Sequence, residues 1–201
     1  MTFRYFDFKD SSFSLQKEKL AFSVAEDLYI SSFPKEERRS LSSVYCLIEK
    51  EYFEFLPLFS DTEFVGFITL WHFDEFIYAE HFAVKSNQRN KGIGSSFIKC
   101  LTANEEKPIV LEVEKPLNET TVRRIEFYKR LGFKMYDNYY FQPPYNEDSE
   151  GLELKIMVFE KGNTSLEFEK IKQTLYSEVY KVSKEYCHSN KQPSYSKPRS
   201  I

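Results

Sequence analysis

The sequence predicts an α/β fold in which helices flank a central mixed β-sheet. Neighbouring runs rich in aromatic and β-branched residues, at 51–60, 63–73 and 75–84, are typical of antiparallel strands. Two later runs, 95–106 and 119–133, carry apolar residues at helical spacing instead. Because strand-like runs separate and follow these helices, strands and helices alternate in this half of the chain.

Elements at the start of the chain follow from helical spacing and a helix-stopping proline. Leu20, Val24, Leu28 and Tyr29 recur at helical spacing, and Pro34 should end that helix before a second, charged turn. We therefore expect two short helices before the first strand.

The later strands and the helix end are marked by proline and glycine. Residues 107–116 predict a strand bounded by prolines, and Leu152–Glu160 predicts the last clear strand. Gly132 is well placed to end the helix that precedes it.

The C-terminal region predicts a helix followed by a tail. We assign residues 1–162 to the main domain, 163–187 to an amphipathic helix and 188–201 to a disordered tail rich in Ser, Pro and Lys. The helix should pack onto the domain, rather than onto a partner chain, through an apolar stripe formed by Ile171, Leu175, Val179 and Val182.

Composition limits the classes of function. A chain of 201 residues suits one core, and a net charge of −3 provides no overall field for nucleic acid or anionic membranes. The chain carries neither a signal-like apolar stretch nor a run long enough to span a membrane, so we expect a cytoplasmic protein. Cys46, Cys100 and Cys187 lack metal-site or disulfide spacing and predict reduced thiols. No metal centre is expected.

A glycine turn between a predicted strand and a predicted helix is the clearest chemical signal. Gly92 and Gly94 lie close together in a chain with only 6 glycines. Such a turn can expose the unpaired N–H groups of a helix start to a phosphate, with Arg89 and Lys91 adding positive charge at the rim. A tight turn without a ligand would give the same pattern. P-loop spacing is absent, and Phe97 occupies the third glycine position of a dinucleotide fingerprint.

Two motifs in the same order resemble the GNAT superfamily of acyl-CoA-dependent N-acyltransferases. Arg89, Gly92 and Gly94 match the R/Q-x-x-G-x-G/A motif of that superfamily, and Ile125–Phe133 resembles its second signature, a helical tyrosine before an LGF turn. The similarity spans roughly residues 20 to 160. It implies a GNAT-like fold with a splayed central sheet.

The sequence is also similar to a bacterial branch of this superfamily. The segments that carry this similarity are SFPKEER at Ser32–Arg38 and QPPY at Gln142–Tyr145.

The resemblance implies a site for acetyl-CoA as co-substrate. In the gap between the splayed strands, Phe82, Ala83 and Val84 would contact pantetheine and the acyl carbonyl. Thr121 occupies the place where relatives often carry an asparagine that bonds the cofactor. Backbone amides of the glycine turn would hold the pyrophosphate, and they belong to Asn90, Lys91, Gly92, Ile93, Gly94 and Ser95.

The resemblance also suggests catalytic roles. Tyr128 matches the tyrosine that would act as a general acid toward the departing thiolate. Glu112, which matches a catalytic glutamate of some relatives, and Glu80 are alternative bases, and each could instead be a solvent-exposed strand residue. Strict alternation along the strand places Glu80 and Phe82 on one face, with His81 on the other as a structural residue.

The acceptor side is the least defined part of the prediction. Residues 139–151 should line it as a connecting loop, in a region whose acids would favour a cationic amine or simply be solvated: Asp137, Glu147, Asp148 and Glu150. We expect an N-acetyltransferase that acts on a primary amine, of a small molecule or a protein, by direct attack in a ternary complex. The alternative is a non-catalytic acyl-CoA-binding or protein-interaction module. Oligomeric state stays open.

A cluster of cations on the second predicted helix could suggest nucleic-acid binding. In a net acidic chain it is better interpreted as a solvated helix face, formed by Arg123, Arg124, Lys129 and Arg130.

Overall fold

One mixed β-sheet organises the chain. A computed structural model describes residues 15–60, 63–145, 150–162 and 165–182. Within them the strands run in the order β1-β2-β3-β4-β7-β5, with β6 also paired to β7. Only β3 and β4 pair in parallel among these strands. The strands are β1 Phe53–Ser60, β2 Glu63–His72, β3 Ile77–Val84, β4 Ile109–Glu114, β5 Lys134–Met135, β6 Tyr140–Gln142 and β7 Leu152–Phe159.

Helices cover both faces of this sheet. Helices α3 and α4 pack on what we call the α3–α4 face, and α1, α2 and α5 pack on the opposite α1–α5 face. The helices are α1 Leu15–Ser32, α2 Leu41–Ile48, α3 Ile93–Asn104, α4 Glu119–Arg130 and α5 Phe168–Thr174. The predicted mixed α/β fold is confirmed, because strand and helix periods are distinct local signals in this sequence.

The central strands separate after a short region of pairing. Parallel pairing joins Ile77–Ala79 to Ile109–Leu111, although β3 continues to Val84 and β4 to Glu114. Beyond the paired residues the two strands leave a gap in the middle of the sheet. The predicted splayed sheet is therefore present.

A β-bulge at Glu80 changes which side chains share a face. Thr69 pairs with His81 while Leu70 pairs with Ala79, so Glu80 is the extra residue of β3. Glu80 consequently lies with Trp71 on the α1–α5 face. Phe82 packs on the α3–α4 face. The predicted shared face of Glu80 and Phe82 is wrong, because the bulge interrupts the alternation.

The first helices differ from the predicted pattern. Val24, predicted on the buried stripe of α1, is 58% exposed, and the helix buries Phe22, Ala25 and Tyr29 instead. The charged segment that should form the second helix contains only a 3-10 turn, Lys35–Glu37. Helix α2 begins later, where the Ser40 hydroxyl accepts a hydrogen bond from the Ser43 N–H at 3.1 Å and caps the helix.

Gly132 ends α4 as predicted, whereas residues 139–151 contain a short strand. Gly132 has a φ of 94° directly after α4, as expected for a helix-ending glycine. Residues 139–151, predicted as a connection, include the strand β6, which pairs with β7. A run this short has too few residues to show a strand period.

The C-terminal segment packs on the α1–α5 face. Ile171, Leu175 and Val179 are buried there, and Val182 packs partly buried against the same cluster. After α5 the chain forms a π-helical turn, Leu175–Val179. Parts of the predicted helix, at 163–164 and 183–187, and the predicted tail at 188–201 lie outside the described residues. None of the helices seen in the described ranges is both long and apolar enough to cross a membrane.

Candidate active site

The gap between β3 and β4 forms a cleft of about 430 Å³ that is lined from both faces of the sheet. Glu80 and Glu112 line it from the α1–α5 face, and Tyr128 lines it from the α3–α4 face. The end of α1 contributes Ser31 and Phe33. The cleft therefore connects the two faces.

The β3 edge of the cleft exposes peptide groups. On its other edge β3 bonds to β2, where the His81 N–H donates to the Thr69 hydroxyl at 3.0 Å and the Lys85 N–H donates to the Val65 carbonyl at 2.8 Å. Peptide groups of intervening residues point the opposite way in an extended strand, so those of Phe82 face the cleft. The predicted pantetheine residues Phe82, Ala83 and Val84 all line the cleft.

The glycine turn opens α3 beside this edge. Gly92 has a φ of 80° and occupies the N-cap, and Asn90 has a φ of 62°. Gly94 does not have a positive φ, and a Cβ there would lie 3.6 Å from the Phe82 ring, an ordinary contact. Backbone conformation thus favours glycine at 92 but does not call for it at 94. Close approach of a phosphate to the amide of Gly94 stays a prediction.

Side chains of the turn stabilise the turn itself. The Arg89 Nε donates to the Val84 carbonyl at 2.9 Å, the Lys91 Nζ donates to the Gln88 Oε1 at 3.1 Å, and the Ser95 hydroxyl donates to the Gly92 carbonyl at 3.0 Å. The first N–H groups of α3 have no partner within the helix. The turn consequently offers backbone amides to an anion, and the remaining donors of Arg89 and Lys91 lie beside them.

An open pocket with a volume of about 810 Å³ lies next to the turn, and we call its wall the arginine-rich surface. Arg89 and Asn90 form one side, and Arg123, Arg124 and Arg130 of α4 form the other. The sequence predicts the cations of α4 as a solvated helix face. A helical period cannot show that these cations lie opposite a loop that is distant in sequence. Their position favours a polyanionic ligand beside the turn.

Thr121 serves the start of α4. Its hydroxyl donates to the Asn118 carbonyl at 3.0 Å and accepts the N–H groups of Leu117 and Asn118. Since a hydroxyl carries one hydrogen, Thr121 has no donor left for a cofactor. In this structure Thr121 thus caps α4, and its predicted contact with a cofactor stays a prediction that would require these bonds to rearrange.

Glu80 is a buried carboxylate with a permanent charge partner. Its side chain is 1% exposed and accepts hydrogen bonds from the Arg39 Nε and the Trp71 Nε1, each at 2.9 Å. Burial alone would raise the pKa of Glu80, but the charge of Arg39 and hydrogen bonds from His81 and Trp71 lower it to about 2. Glu80 is therefore a poor proton acceptor near neutral pH.

Arg39 was missed by sequence reasoning, although it directly follows the predicted Ser32–Arg38 segment. Its guanidinium lies 5.2 Å from the Trp71 ring centroid and 4.8 Å from that of Tyr145. Its Nη2 donates to the Val179 carbonyl at 2.8 Å. Arg39 thus joins the α1–α2 connection, the sheet and the C-terminal segment.

Glu112 lies on the same face in a different environment. Its carboxylate accepts hydrogen bonds from the hydroxyls of Tyr78 at 2.8 Å, Tyr180 at 2.7 Å and Tyr140. Burial raises the pKa of Glu112 to about 7, even though these hydroxyls lower it. A carboxylate with this pKa can both accept and release a proton near neutral pH.

Tyr128 approaches the cleft from the opposite face. Its side chain is buried against the rings of Phe127 and Phe133, and burial raises the pKa of its hydroxyl to about 12. Among the described residues no group hydrogen-bonds this hydroxyl. A ligand in the cleft could therefore accept its hydrogen.

The remaining predicted residues do not line the cleft, and two of them lie outside the described residues. His81 packs edge-on against Tyr29 and Phe33, consistent with a structural role. Asp137 and Glu150 are exposed, whereas Glu147 and Asp148 lie outside the described residues. No metal-holding group of three or more His, Cys, Asp or Glu side chains occurs in the described part of the chain.

Comparison with known proteins identifies the family. Residues 48–135 match the acetyltransferase (GNAT) domain. The solved structure of a GNAT-family protein from Bacteroides thetaiotaomicron is 37% identical in sequence, covers 84% of this chain and 96% of that chain, and has a TM-score of 0.78. The chain belongs to the GNAT family of acetyltransferases. No curated protein matches this GNAT chain.

More distant structures share the GNAT fold. The ribosomal-protein-S18-alanine N-acetyltransferase from Escherichia coli is 20% identical, with 79% of this chain and 97% of that chain covered and a TM-score of 0.52. A spermidine N-acetyltransferase chimera from Vibrio cholerae and hSSAT is 13% identical, with 71% and 91% covered and a TM-score of 0.53.

Replacing Glu80 by Gln should destabilise the protein, because the substitution leaves the guanidinium of Arg39 buried without a counter-charge. We expect the free energy of unfolding at pH 7 to fall by about 3 kcal/mol in urea denaturation. A pKa lowered from 4.5 to about 2 in the folded state stabilises the fold above pH 4.5, and this contribution is lost as the pH falls toward 2. The difference from wild type should therefore shrink in acid.

The matched control for this variant is Glu153→Gln. Glu153 pairs with Lys115 at 2.7 Å on the surface, so its loss should change stability by less than about 1 kcal/mol. Equal effects of the two substitutions would contradict an anchoring role for the Arg39–Glu80 pair.

Proposed function

We propose that this GNAT protein transfers an acetyl group from acetyl-CoA to a primary amine within a ternary complex. The observation that supports this best is the cleft through the sheet. One of its sides adjoins the start of α3 and Tyr128, and the other side presents Glu112. Donor and acceptor could therefore meet from opposite faces without a covalent enzyme intermediate.

The residues present fit a CoA-type donor. Amides of the turn from Asn90 to Ser95, at the start of α3, would hold the pyrophosphate. The arginine-rich surface would add positive charge beside it. Peptide groups of Phe82 would bond the pantetheine arm as a neighbouring strand would, because the splay leaves that edge of β3 open.

The acceptor side suits an amine that arrives as a cation. Helix α1 ends at the cleft, where Ser31 and Ser32 of its last turn line the wall, and the C-terminal end of a helix carries partial negative charge. Glu112 lies in the same cleft. Together they would favour a positively charged ligand there. Its ammonium group must first lose one proton to solvent, and the second proton leaves the nitrogen during attack.

Proton transfer divides between two residues. The amine nitrogen bonds to the acetyl carbon while the thioester C–S bond breaks. Glu112 would accept the proton that leaves this nitrogen, directly or through water. Tyr128 would give its hydroxyl hydrogen to the departing sulfur. Glu80, which stays ionised and bound to Arg39, would hold the local structure instead of acting as the base.

We also propose that the chain belongs to the bacterial branch with the SFPKEER and QPPY segments. Both segments contribute to this site. Phe33 of Ser32–Arg38 lines the cleft, Tyr145 stacks on the guanidinium of Arg39, and Gln142 hydrogen-bonds Tyr180.

Calorimetry with acetyl-CoA and a thiol-release assay over a panel of amines tests the proposal. Wild type should bind acetyl-CoA and release CoA only when an amine is present. Tyr128→Phe should lower kcat by about a hundredfold or more with little change in the Kd for acetyl-CoA, since only the general acid is lost. Tyr139→Phe, at a tyrosine that is 45% exposed, is the control and should match wild type.

Other outcomes of this experiment have distinct meanings. Binding without release from any amine would favour the non-catalytic acyl-CoA-binding module. Unchanged kcat in Tyr128→Phe would contradict the acid role of the tyrosine. Absence of binding would contradict the proposed function as a whole.

The pH dependence of kcat/KM, measured with two amines of different pKa, should identify the base, because a limb set by Glu112 keeps its position whereas a limb set by the amine moves with the pKa of the amine. With a Glu112 pKa of about 7, the rate should fall as the pH drops below 7, because a protonated carboxyl cannot accept a proton. Glu112→Gln should lose this limb and at least about a hundredfold of the rate. Glu114→Gln, at a half-buried residue farther along the same strand, should keep the acid limb. Loss of the limb in both variants would contradict the assignment of Glu112 as the base.

Arg130→Glu should raise the Kd for acetyl-CoA by about five- to tenfold at low salt, because Arg130 lines the arginine-rich surface. Titration calorimetry at two ionic strengths should show that the loss shrinks in high salt. Lys129→Glu makes the same charge change beside that surface and should have a smaller effect. Equal losses would indicate only a general electrostatic effect.

A further inference from the structure

The C-terminal segment Phe168–Val182 lies outside the matched domain at 48–135, yet its Tyr180 hydrogen-bonds Glu112, which lines the cleft. We propose that this segment completes the active site and that Tyr180 is a positioning residue that orients the Glu112 carboxylate through a hydrogen bond. The proposal rests on the role of Glu112 in the proposed function. Its basis is a set of hydrogen bonds around one hydroxyl.

The hydroxyl of Tyr180 has a defined direction. It lies 2.7 Å from the Glu112 Oε2, and the Gln142 Nε2 lies 2.8 Å from its oxygen. The amide nitrogen can only donate, and a hydroxyl has a single hydrogen. Gln142 therefore donates to the oxygen of Tyr180. The Tyr78 hydroxyl lies 3.3 Å from that of Tyr180, but the Glu112 carboxylate is both nearer and charged, so the hydrogen of Tyr180 points to Glu112.

The other groups that face Glu112 belong to the sheet and its connections. Tyr78 of β3 donates to the same oxygen as Tyr180, and Tyr140 of β6 donates to the other. Tyr145 and the carboxylate of Glu80 interact with it electrostatically. Of the hydroxyls that donate to Glu112, that of Tyr180 alone comes from the C-terminal segment in the part of the chain described.

A widened helical turn places Tyr180 there. The N–H of Tyr180 donates to the Leu175 carbonyl at 3.0 Å, the bond that closes the π-helical turn Leu175–Val179. The carbonyl of Val179, in the same turn, accepts the hydrogen bond from Arg39. One turn thus supports Glu112 through Tyr180 and Glu80 through Arg39. Single π-helical turns are rare and occur frequently at functional sites.

This arrangement has a directional consequence for the proton on Glu112. Burial and the charge of Glu80 favour the neutral carboxyl, whereas the hydroxyl of Tyr180 favours the carboxylate. Removal of that hydroxyl should raise the pKa of Glu112. More of the enzyme would then carry a protonated base at neutral pH.

Tyr180→Phe tests this role, because the ring that packs 5.3 Å from Tyr145 is kept and only the hydroxyl is lost. The acid limb of kcat/KM should move up by about one pH unit. At pH 6 the variant should therefore be about tenfold slower than wild type, and near pH 9 the two should converge. A loss of equal size at every pH would overturn the proposal, since a merely structural defect acts without regard to pH.

The matched control is Tyr176→Phe, in the same π-helical turn. The hydroxyl of Tyr176 is buried and donates to the Phe141 carbonyl, whereas the hydroxyls that donate to Glu112 are those of Tyr78, Tyr140 and Tyr180. This variant should lose stability like Tyr180→Phe but keep the acid limb of wild type. A limb shifted equally in both variants would overturn the specific role of Tyr180.

Direct titration of the Glu112 carboxyl separates this proposal from the proposed function. Carbon-13 NMR of glutamate-labelled protein, with the Glu112 signal assigned by its loss in Glu112→Gln, needs no turnover. A higher titration midpoint in Tyr180→Phe than in wild type would support the contact, and an unchanged midpoint would overturn it. Failure of wild type to release CoA with any amine would instead overturn the proposed function.

Discussion

The separation of β3 and β4 is the constraint on which the rest of the structure depends. Pairing stops at Ala79 and Leu111, so a sheet that would otherwise be closed by hydrogen bonds has an opening at its centre. That opening costs strand pairing, and it leaves peptide groups whose hydrogen bonds a ligand can supply. It also allows side chains on opposite faces, such as Glu112 and Tyr128, to reach one cavity.

Two buried carboxylates on one face differ in chemistry because their partners differ. Glu80 meets a guanidinium and has a pKa of about 2, whereas Glu112 meets neutral hydroxyls and has a pKa of about 7. A cation compensates burial fully, and neutral donors compensate it only in part. This separation of pKa values divides the two glutamates into an anchor and a candidate base.

Much of the polar environment comes from outside the stretch that matches the family domain. Arg39 precedes that stretch, and Tyr140, Tyr145 and Tyr180 follow it. The domain supplies strands, the turn and both carboxylates, while the flanking segments supply the groups that orient and charge them. Relatives with other flanking segments could therefore place different chemistry around the same cleft.

The sequence by itself determined the order of the longer strands and helices, the glycine turn and the buried C-terminal stripe, because each has a local period or a local backbone requirement. It did not show the short strand β6 or that the charged segment after α1 forms only a 3-10 turn. Gly92 could be recognised in this way, as could Tyr128 within its motif. The tertiary structure decided the phase of β3, since the bulge at Glu80 depends on pairing with β2. It also decided the partners of the two glutamates. Arg39 is distant in sequence from Glu80 and Tyr180 is distant from Glu112, and contacts of this kind produce no periodic pattern in the sequence.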